Sequence, residues 1–438
     1  MKKIIFFLKY SYRRPSAQLE HIIVFFLKLF FNSKTKIFSE RILLEKKPPI
    51  STSFYNFYGR FLNYIINFVY ILFFSRFVNN YTYLDNKFKV AQKEEGSDFE
   101  PWPKQAYHLF DKNNLSKLEI DYNQLYLNYN QACNLLDNKK NFEANKWWQS
   151  CRTEFAEIFI RFDKLNIENL KNFRNNVQTK AEILADQNFL NSKIEKINQI
   201  KSLSLINLYH KLSEVIDLNI LRSASESNCG NNFCLNYRGQ RLSYRILRYA
   251  YYLSQIKNNL NFTTSSNHLI LDLGGGYGGL ARTLKYHYPQ STIIIIELPE
   301  LCLLSNYFLK NCFPNSKIAN ISDFDMSKKI STQDLRSYDF VILPPPMFSL
   351  IENDIIDLSI NTTSLGEMTE EMQKYYTYNI ERSSKFFYSV NRKSKRTEKY
   401  NSNGYYQLKF EKRWRSLIYN YTHTYHIEFL GEKINQEK

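Results

Sequence analysis

The chain has 438 residues, 44% of them apolar and 16% aromatic, enough to bury a sizeable core, which excludes wholesale disorder. Its 59 Lys+Arg against 42 Asp+Glu give a net charge of +17, which permits an anionic partner without requiring one. Glycine is scarce, yet five of the 12 glycines (Gly274, Gly275, Gly276, Gly278 and Gly279) fall within six positions, so the backbone needs unusual freedom there.

Residues 1–92 form the first segment. Eleven basic and three acidic residues in 1–48 place about half of the net charge in this stretch. The apolar run 4–8 is too short for a secretory signal. Its uncharged run 61–75 is shorter than the roughly 20 residues that span a bilayer. The segment reads as a basic, apolar helical extension. It is either a buried helical subdomain or an element that docks on a membrane surface or a partner through residues 1–90. A polar, proline-containing stretch at 93–103 (KEEGSDFEPWP) marks a boundary.

Residues 104–235 are expected to form a helical domain. In 145–162, Trp148, Cys151, Phe155, Ile158 and Phe159 recur at three- and four-residue spacing, one apolar stripe facing a core. The six cysteines include no CxxC pair and no zinc-like Cys/His spacing. They read as reduced thiols in a cytoplasmic setting, and no metal is expected.

Residues 236–438 change texture. An apolar run, 268–273 (HLILDL), meets the glycine cluster, and a helix follows to Pro289. TIIIIE at 292–297 is a strand covered on both faces. Pro299 suits a helix first turn. DFVIL (339–343), LSINT (358–362) and KFFYSV (385–390) are further strands, and Thr369 is a helix N-cap with Glu370 and Glu371 behind it. Alternating strands and helices predict an α/β fold, a doubly wound Rossmann-like sheet.

The cluster satisfies two patterns. Gly274, Gly276 and Gly279 fit G-x-G-x-x-G, while Asp272, Gly274, Gly276 and Gly278 fit D-x-G-x-G-x-G. A dinucleotide sets a pyrophosphate against such a loop, and Asp272 would repel it. S-adenosylmethionine carries an ammonium and a sulfonium and no phosphate, so Asp272 would attract it. Glu297 ends the second strand 23 residues after Gly274, near the spacing of an acid that accepts ribose hydroxyls. The site therefore comprises Asp272, Gly274, Gly275, Gly276, Gly278 and Glu297, with Asn361 as a polar contact and the prolines after Leu343 packing on an adenine.

LDLGGGYGGLA, IELPELCLLSNYFL and FPNSKI, with ESNCGNNFCLNYRGQRLS before them and NTTSLGEM after them, resemble the bacterial sugar O-methyltransferase family of class I S-adenosylmethionine-dependent enzymes. The resemblance covers roughly residues 145–395 and implies methyl transfer to a sugar hydroxyl in glycan or surface-polysaccharide synthesis. Glu297 stands where that family more often has Asp. A neutral hydroxyl is a poor nucleophile, so a base is expected: Glu367, or His426 or His423 in a Tyr-rich tail (YNYTHTYH) that would cap the crevice. Arg238, Arg241 and Arg245 are candidates for holding the donor carboxylate or an anionic sugar.

Rival readings are weaker. A base-flipping nucleic-acid methyltransferase would place Asp or Asn before the prolines, where this chain has Leu343, so no nucleic acid is expected. A nicotinamide-dependent reductase or epimerase conflicts with Asp272. A catalytically dead binding module would not keep five glycines.

Overall fold

The computed structural model describes residues 120–138, 142, 146–174, most of 205–237, 240–392, 413–422 and 426–434. The extension 1–92, the boundary at 93–103, Arg238, His423 and the basic residues 393–399 lie outside the described residues.

Eight strands form one sheet: β1 Leu269–Leu273, β2 Thr292–Ile296, β3 Ile318–Ala319, β4 Phe340–Leu343, β5 Ile356–Thr362, β6 Ser384–Arg392, β7 Trp414–Thr422 and β8 His426–Lys433. Their order is β7-β8-β6-β5-β1-β2-β4-β3. From β6 to β3 every pair is parallel, while β8 runs antiparallel to both β6 and β7. The expected doubly wound sheet is present, and its strand direction of growth reverses between β1 and β5. Ligands of open α/β sheets bind at the carboxyl ends beside such a reversal.

Nine helices are described: α1 Tyr122–Asp137, α2 Lys146–Phe159, α3 Ile167–Lys171, α4 Leu218–Ser223, α5 Tyr244–Asn259, α6 Gly279–His287, α7 Pro299–Cys312, α8 Thr332–Arg336 and α9 Glu370–Ser383. Local chemistry sets their ends. Pro299 occupies the first turn of α7, where its missing N–H costs nothing. Thr369 caps α9 by accepting the Met372 N–H at 3.3 Å.

Side chains alternate across the strands, as a period of two demands. Ile270, Ile293, Ile295, Ile342 and Ile360 face a cluster that includes residues of α1, α2, α5, α6 and α7. Leu271, Leu273, Ile294, Leu343 and Phe387 face a second cluster with Met372, Tyr376 and Ile380 of α9. The first cluster runs from Leu125 to Leu430, so the helical region and the sheet share one core. An ion pair reinforces the join: Arg152 of α2 donates to Glu300 of α7 at 2.8 Å. Within the helical region the buried Arg174 donates to the buried Glu226 at 2.9 Å. Cys151, Phe155, Ile158 and Phe159 of the predicted stripe are buried.

The C-terminal tail differs from expectation. Residues 419–422 and 426 of the Tyr-rich stretch belong to β7 and β8, which extend the sheet beyond β6. Alternating Ile, Tyr, Phe and Leu suit a half-buried strand, and aromatic richness masked that period. All six cysteines are free thiols, four of them buried. Among the described residues no helix is long and apolar enough to cross a membrane, and no group of three or more potential metal ligands occurs.

Candidate functional site

The carboxyl ends of β1, β2 and β5 border a cleft holding about 1170 Å³ of empty space, its open mouth included. The glycine loop forms its floor. Gly274 has φ +69°, a left-handed conformation natural to glycine, and a Cβ there would stand 2.1 Å from Ser364 Oγ. A Cβ on Gly275 would stand 2.8 Å from Asp272 Oδ2. The loop is therefore packed close on both sides. Gly278 is the N-cap of α6 and offers no side-chain bond.

Two carboxylates lie beside this floor. Asp272 is 1% exposed, and its Oδ2 has no hydrogen-bond partner among the described residues. Burial and the charge of Glu297 push its carboxyl up to about 7. Glu297 follows β2 directly. Its Oε2 accepts the Gly276 N–H at 3.0 Å and its Oε1 the Leu298 N–H at 2.8 Å. Burial pushes it up to about 7 against those two bonds, with the charges of Glu300 and Glu367 adding to the rise. Each oxygen keeps a second lone pair. An unpartnered, buried carboxylate is costly unless something cationic or donating meets it, and a phosphate would raise that cost.

Glu367 reaches the cleft from a short 3-10 turn, Leu365–Glu367, after β5. Pro345, Met368 and Met372 supply apolar lining, and Phe142 and Trp148 reach in from the helical region. Arg245, Arg248, Tyr249 and Tyr252 of α5 line it too. Thr363 also borders the cleft, with φ +64°, a strained backbone for a β-branched residue. Its N–H is held by Val390 O at 2.8 Å.

The structure brings Asp272, Gly274, Gly275, Gly276, Glu297, Glu367 and Arg245 to one cleft. Four expectations change. Gly278 does not line the cleft and packs instead against Leu309 and Ser305 of α7. Asn361 is fully buried rather than lining the cleft. Its Nδ2 donates to Leu273 O at 2.9 Å and Ser364 Oγ at 2.6 Å, and its Oδ1 accepts from Leu365 N and Asn391 Nδ2. With all four positions filled by protein, it is a strut under the loop. Arg241 turns instead to Asn232, donating to Oδ1 at 3.1 Å. His426 stands opposite Arg392 at the head of β8, two strands from β5; its side chain is outside the described residues. Arg248, Tyr249 and Tyr252 escaped the sequence reading, although they follow Arg245 at three-, four- and seven-residue spacing on one helical face. Trp148 was assigned to the core stripe and is partly buried at the cleft.

The sheet order and this cleft define a doubly wound α/β protein with a ligand site at its topological switch point. No protein-family model matches the chain, and no curated protein matches it. Solved structures to which it is similar include an S-adenosylmethionine-dependent methyltransferase from Aquifex aeolicus, 10% identical over 42% of this chain and 89% of that one, with a TM-score of 0.28. TehB from Haemophilus influenzae is 15% identical over 42% of this chain and 61% of that one, with a TM-score of 0.28. The mitomycin 7-O-methyltransferase MmcR is 13% identical over 43% of this chain and 57% of that one, with a TM-score of 0.28.

Proposed function

We propose that the chain is an S-adenosylmethionine-dependent methyltransferase acting on a hydroxyl oxygen, with a sugar or glycan as acceptor. The carrying observation is the buried Asp272 carboxyl, whose Oδ2 has no hydrogen-bond partner among the described residues, beside a close-packed glycine loop. That pairing suits a ligand bearing positive charge and no phosphate. The bound donor supplies a methyl group on a cationic sulfur, an already activated leaving group. Asp272 and Glu297 attract and orient its cationic and ribose parts, and Pro345 with Met372 offers apolar packing for a purine.

The chain's remaining task is alignment, which alone contributes several kcal/mol to a bimolecular step. Glu367, which lines the cleft, is the group that would take the acceptor hydroxyl proton on a carboxylate oxygen. The sugar assignment rests on the resemblance of LDLGGGYGGLA, IELPE and NTTSLGEM to sugar O-methyltransferases, and the aromatic lining from Phe142, Trp148, Tyr249 and Tyr252 suits pyranose faces.

The test incubates the protein with methyl-labelled donor and separated glycan, RNA and protein fractions. Label recovered as a sugar methyl ether, and lost in Glu367→Gln, is the expected result. Label confined to RNA or protein would overturn the acceptor assignment.

A further inference from the structure

Helix α5 runs along both halves of the cleft. Asp272 and Glu297, at the ends of β1 and β2, mark the donor half; Thr362 ends β5 on the other side, and Thr363 and Glu367 follow it. Arg245 faces the glycine loop, where it shares the Tyr277 ring with Arg174, their guanidinium groups 5.4 and 4.8 Å from the centroid. Arg248 is three residues further along the same face and has different neighbours. The Tyr249 hydroxyl feels Arg245, Arg248 and Asp272, so Tyr249 marks the boundary between the halves. The Tyr252 hydroxyl feels Arg248 and Glu428, and its ring meets Tyr388 of β6 edge-on, 5.9 Å between centroids. Strand β6 lies beyond β5, on the side away from β1 and β2. Arg248 therefore belongs to the half of the cleft far from Glu297.

Arg248 joins none of the ion pairs found among the described residues. Its Nε is buried with no hydrogen-bond partner among them. Glu428, the carboxylate that shares its neighbour Tyr252, is spent elsewhere. Its Oε1 accepts from the Tyr388 hydroxyl at 2.5 Å and its Oε2 from the Tyr251 hydroxyl at 2.8 Å, and burial pushes its carboxyl up toward the neutral form. A buried guanidinium N–H left unmet is costly. A ligand oxygen in the cleft is the group that would meet it.

We propose that Arg248 is the specificity-determining residue of the acceptor half, where it holds a carboxylate carried by the sugar, so that the acceptor is an acidic sugar such as a uronate unit of a glycan. The inference rests on the function proposed above and names its substrate class. An arginine fork meets a carboxylate through two parallel N–H bonds in one plane, and the Nε–H of Arg248 is one of the pair. The charges of the cleft favour a carboxylate over a phosphate. Asp272, Glu297 and Glu367 line the same space, so a dianionic phosphate would meet three acids at close quarters, whereas a carboxylate sets one negative charge against one guanidinium. A carboxylate held there fixes the orientation of the sugar ring, which selects one hydroxyl for the methyl group.

The test treats the glycan fraction with carbodiimide and borohydride, which turns each carboxylate into a neutral hydroxymethyl group, and compares methyl transfer to treated and untreated glycan. The wild-type protein should prefer the untreated glycan by about tenfold or more in kcat/KM. Arg248→Gln should shrink that preference toward one, with its affinity for S-adenosylmethionine unaltered in calorimetry. Phosphatase treatment of the glycan should leave the transfer as it was. Equal transfer to both glycans by the wild type, a preference that survives in Arg248→Gln, a donor affinity that falls in that variant, or transfer abolished by phosphatase would each overturn the subsite alone. No label in either glycan would overturn the acceptor assignment above and the subsite with it. If Arg248→Gln fails to fold, the wild-type comparison of the two glycans decides.

Discussion

The carboxylate of Glu297 accepts the backbone N–H of Gly276 at 3.0 Å, fastening the end of β2 to the loop that follows β1. One side chain thus shapes the glycine loop and presents charge to the cleft. Glu297→Ala strands the Gly276 and Leu298 N–H groups and removes that charge. Donor affinity should fall at least tenfold, about 1.4 kcal/mol, in calorimetric titration. Unchanged affinity would remove Glu297 from the site.

Asp272 and Glu297 are each pushed up to about 7, whereas in an unfolded chain they ionise near pH 4. Between those values the folded protein holds more protons than the unfolded one, so these groups make the free protein lose stability as pH rises from about 4 to about 7. A bound cation favours the ionised forms. Donor binding should therefore release protons at pH 6.5, and affinity should climb from about pH 5.5 to 7.5. Titrations in buffers of different ionisation enthalpy read the protons directly. A flat affinity across that range would contradict the assignment.

Asn361 predicts a stability effect rather than a contact with ligand. Asn361→Leu leaves the Leu365 N–H, the Asn391 amide and the Leu273 carbonyl without this partner. Asn391 Nδ2 keeps Ser389 Oγ and Leu273 O keeps Ser364 Oγ, so the buried Leu365 N–H is the group left unmet, and a loss of about 1–3 kcal/mol is expected, measured as a lower urea midpoint with an unchanged slope. A loss below 1 kcal/mol would show that the strut is dispensable.

Gly274 and Ser364 predict a coupled pair. Gly274→Ala adds a Cβ 2.1 Å from Ser364 Oγ and 2.6 Å from its Cβ, and forces alanine into a left-handed backbone at about 1–2 kcal/mol. Adding Ser364→Gly removes the steric part and leaves the backbone part. A double-mutant cycle should therefore give a favourable coupling of about 1 kcal/mol or more. Strict additivity would mean that the loop moves aside.

Much of the sheet was legible because its signals are local. A β-branched run such as TIIII, a proline at a helix first turn and a clustered set of glycines each carry their own physical reason. That Asp272, the glycine loop and Glu297 meet at one cleft was legible for the same cause, since they sit at strand ends fixed by those runs. What stayed hidden depends on distant packing. Nothing local says that Asn361 spends its amide on Leu273 O, 88 residues away, or that Arg174 shares the ring of Tyr277 with Arg245. The strands β7 and β8 were missed because their Tyr-rich stretch was read as a cap over the crevice and its two-residue alternation was overlooked. The α5 residues Arg248, Tyr249 and Tyr252 were within reach, since extending the register from Arg245 finds them.

The most direct measurement is calorimetric titration of the purified chain with S-adenosylmethionine and, separately, with NAD+ and NADP+, repeated on Asp272→Asn. The account predicts saturable binding of S-adenosylmethionine, none of the nicotinamide cofactors, and at least tenfold weaker donor binding by the variant. Tighter binding of a pyrophosphate-bearing cofactor than of S-adenosylmethionine, or donor affinity unaltered by Asp272→Asn, would contradict it.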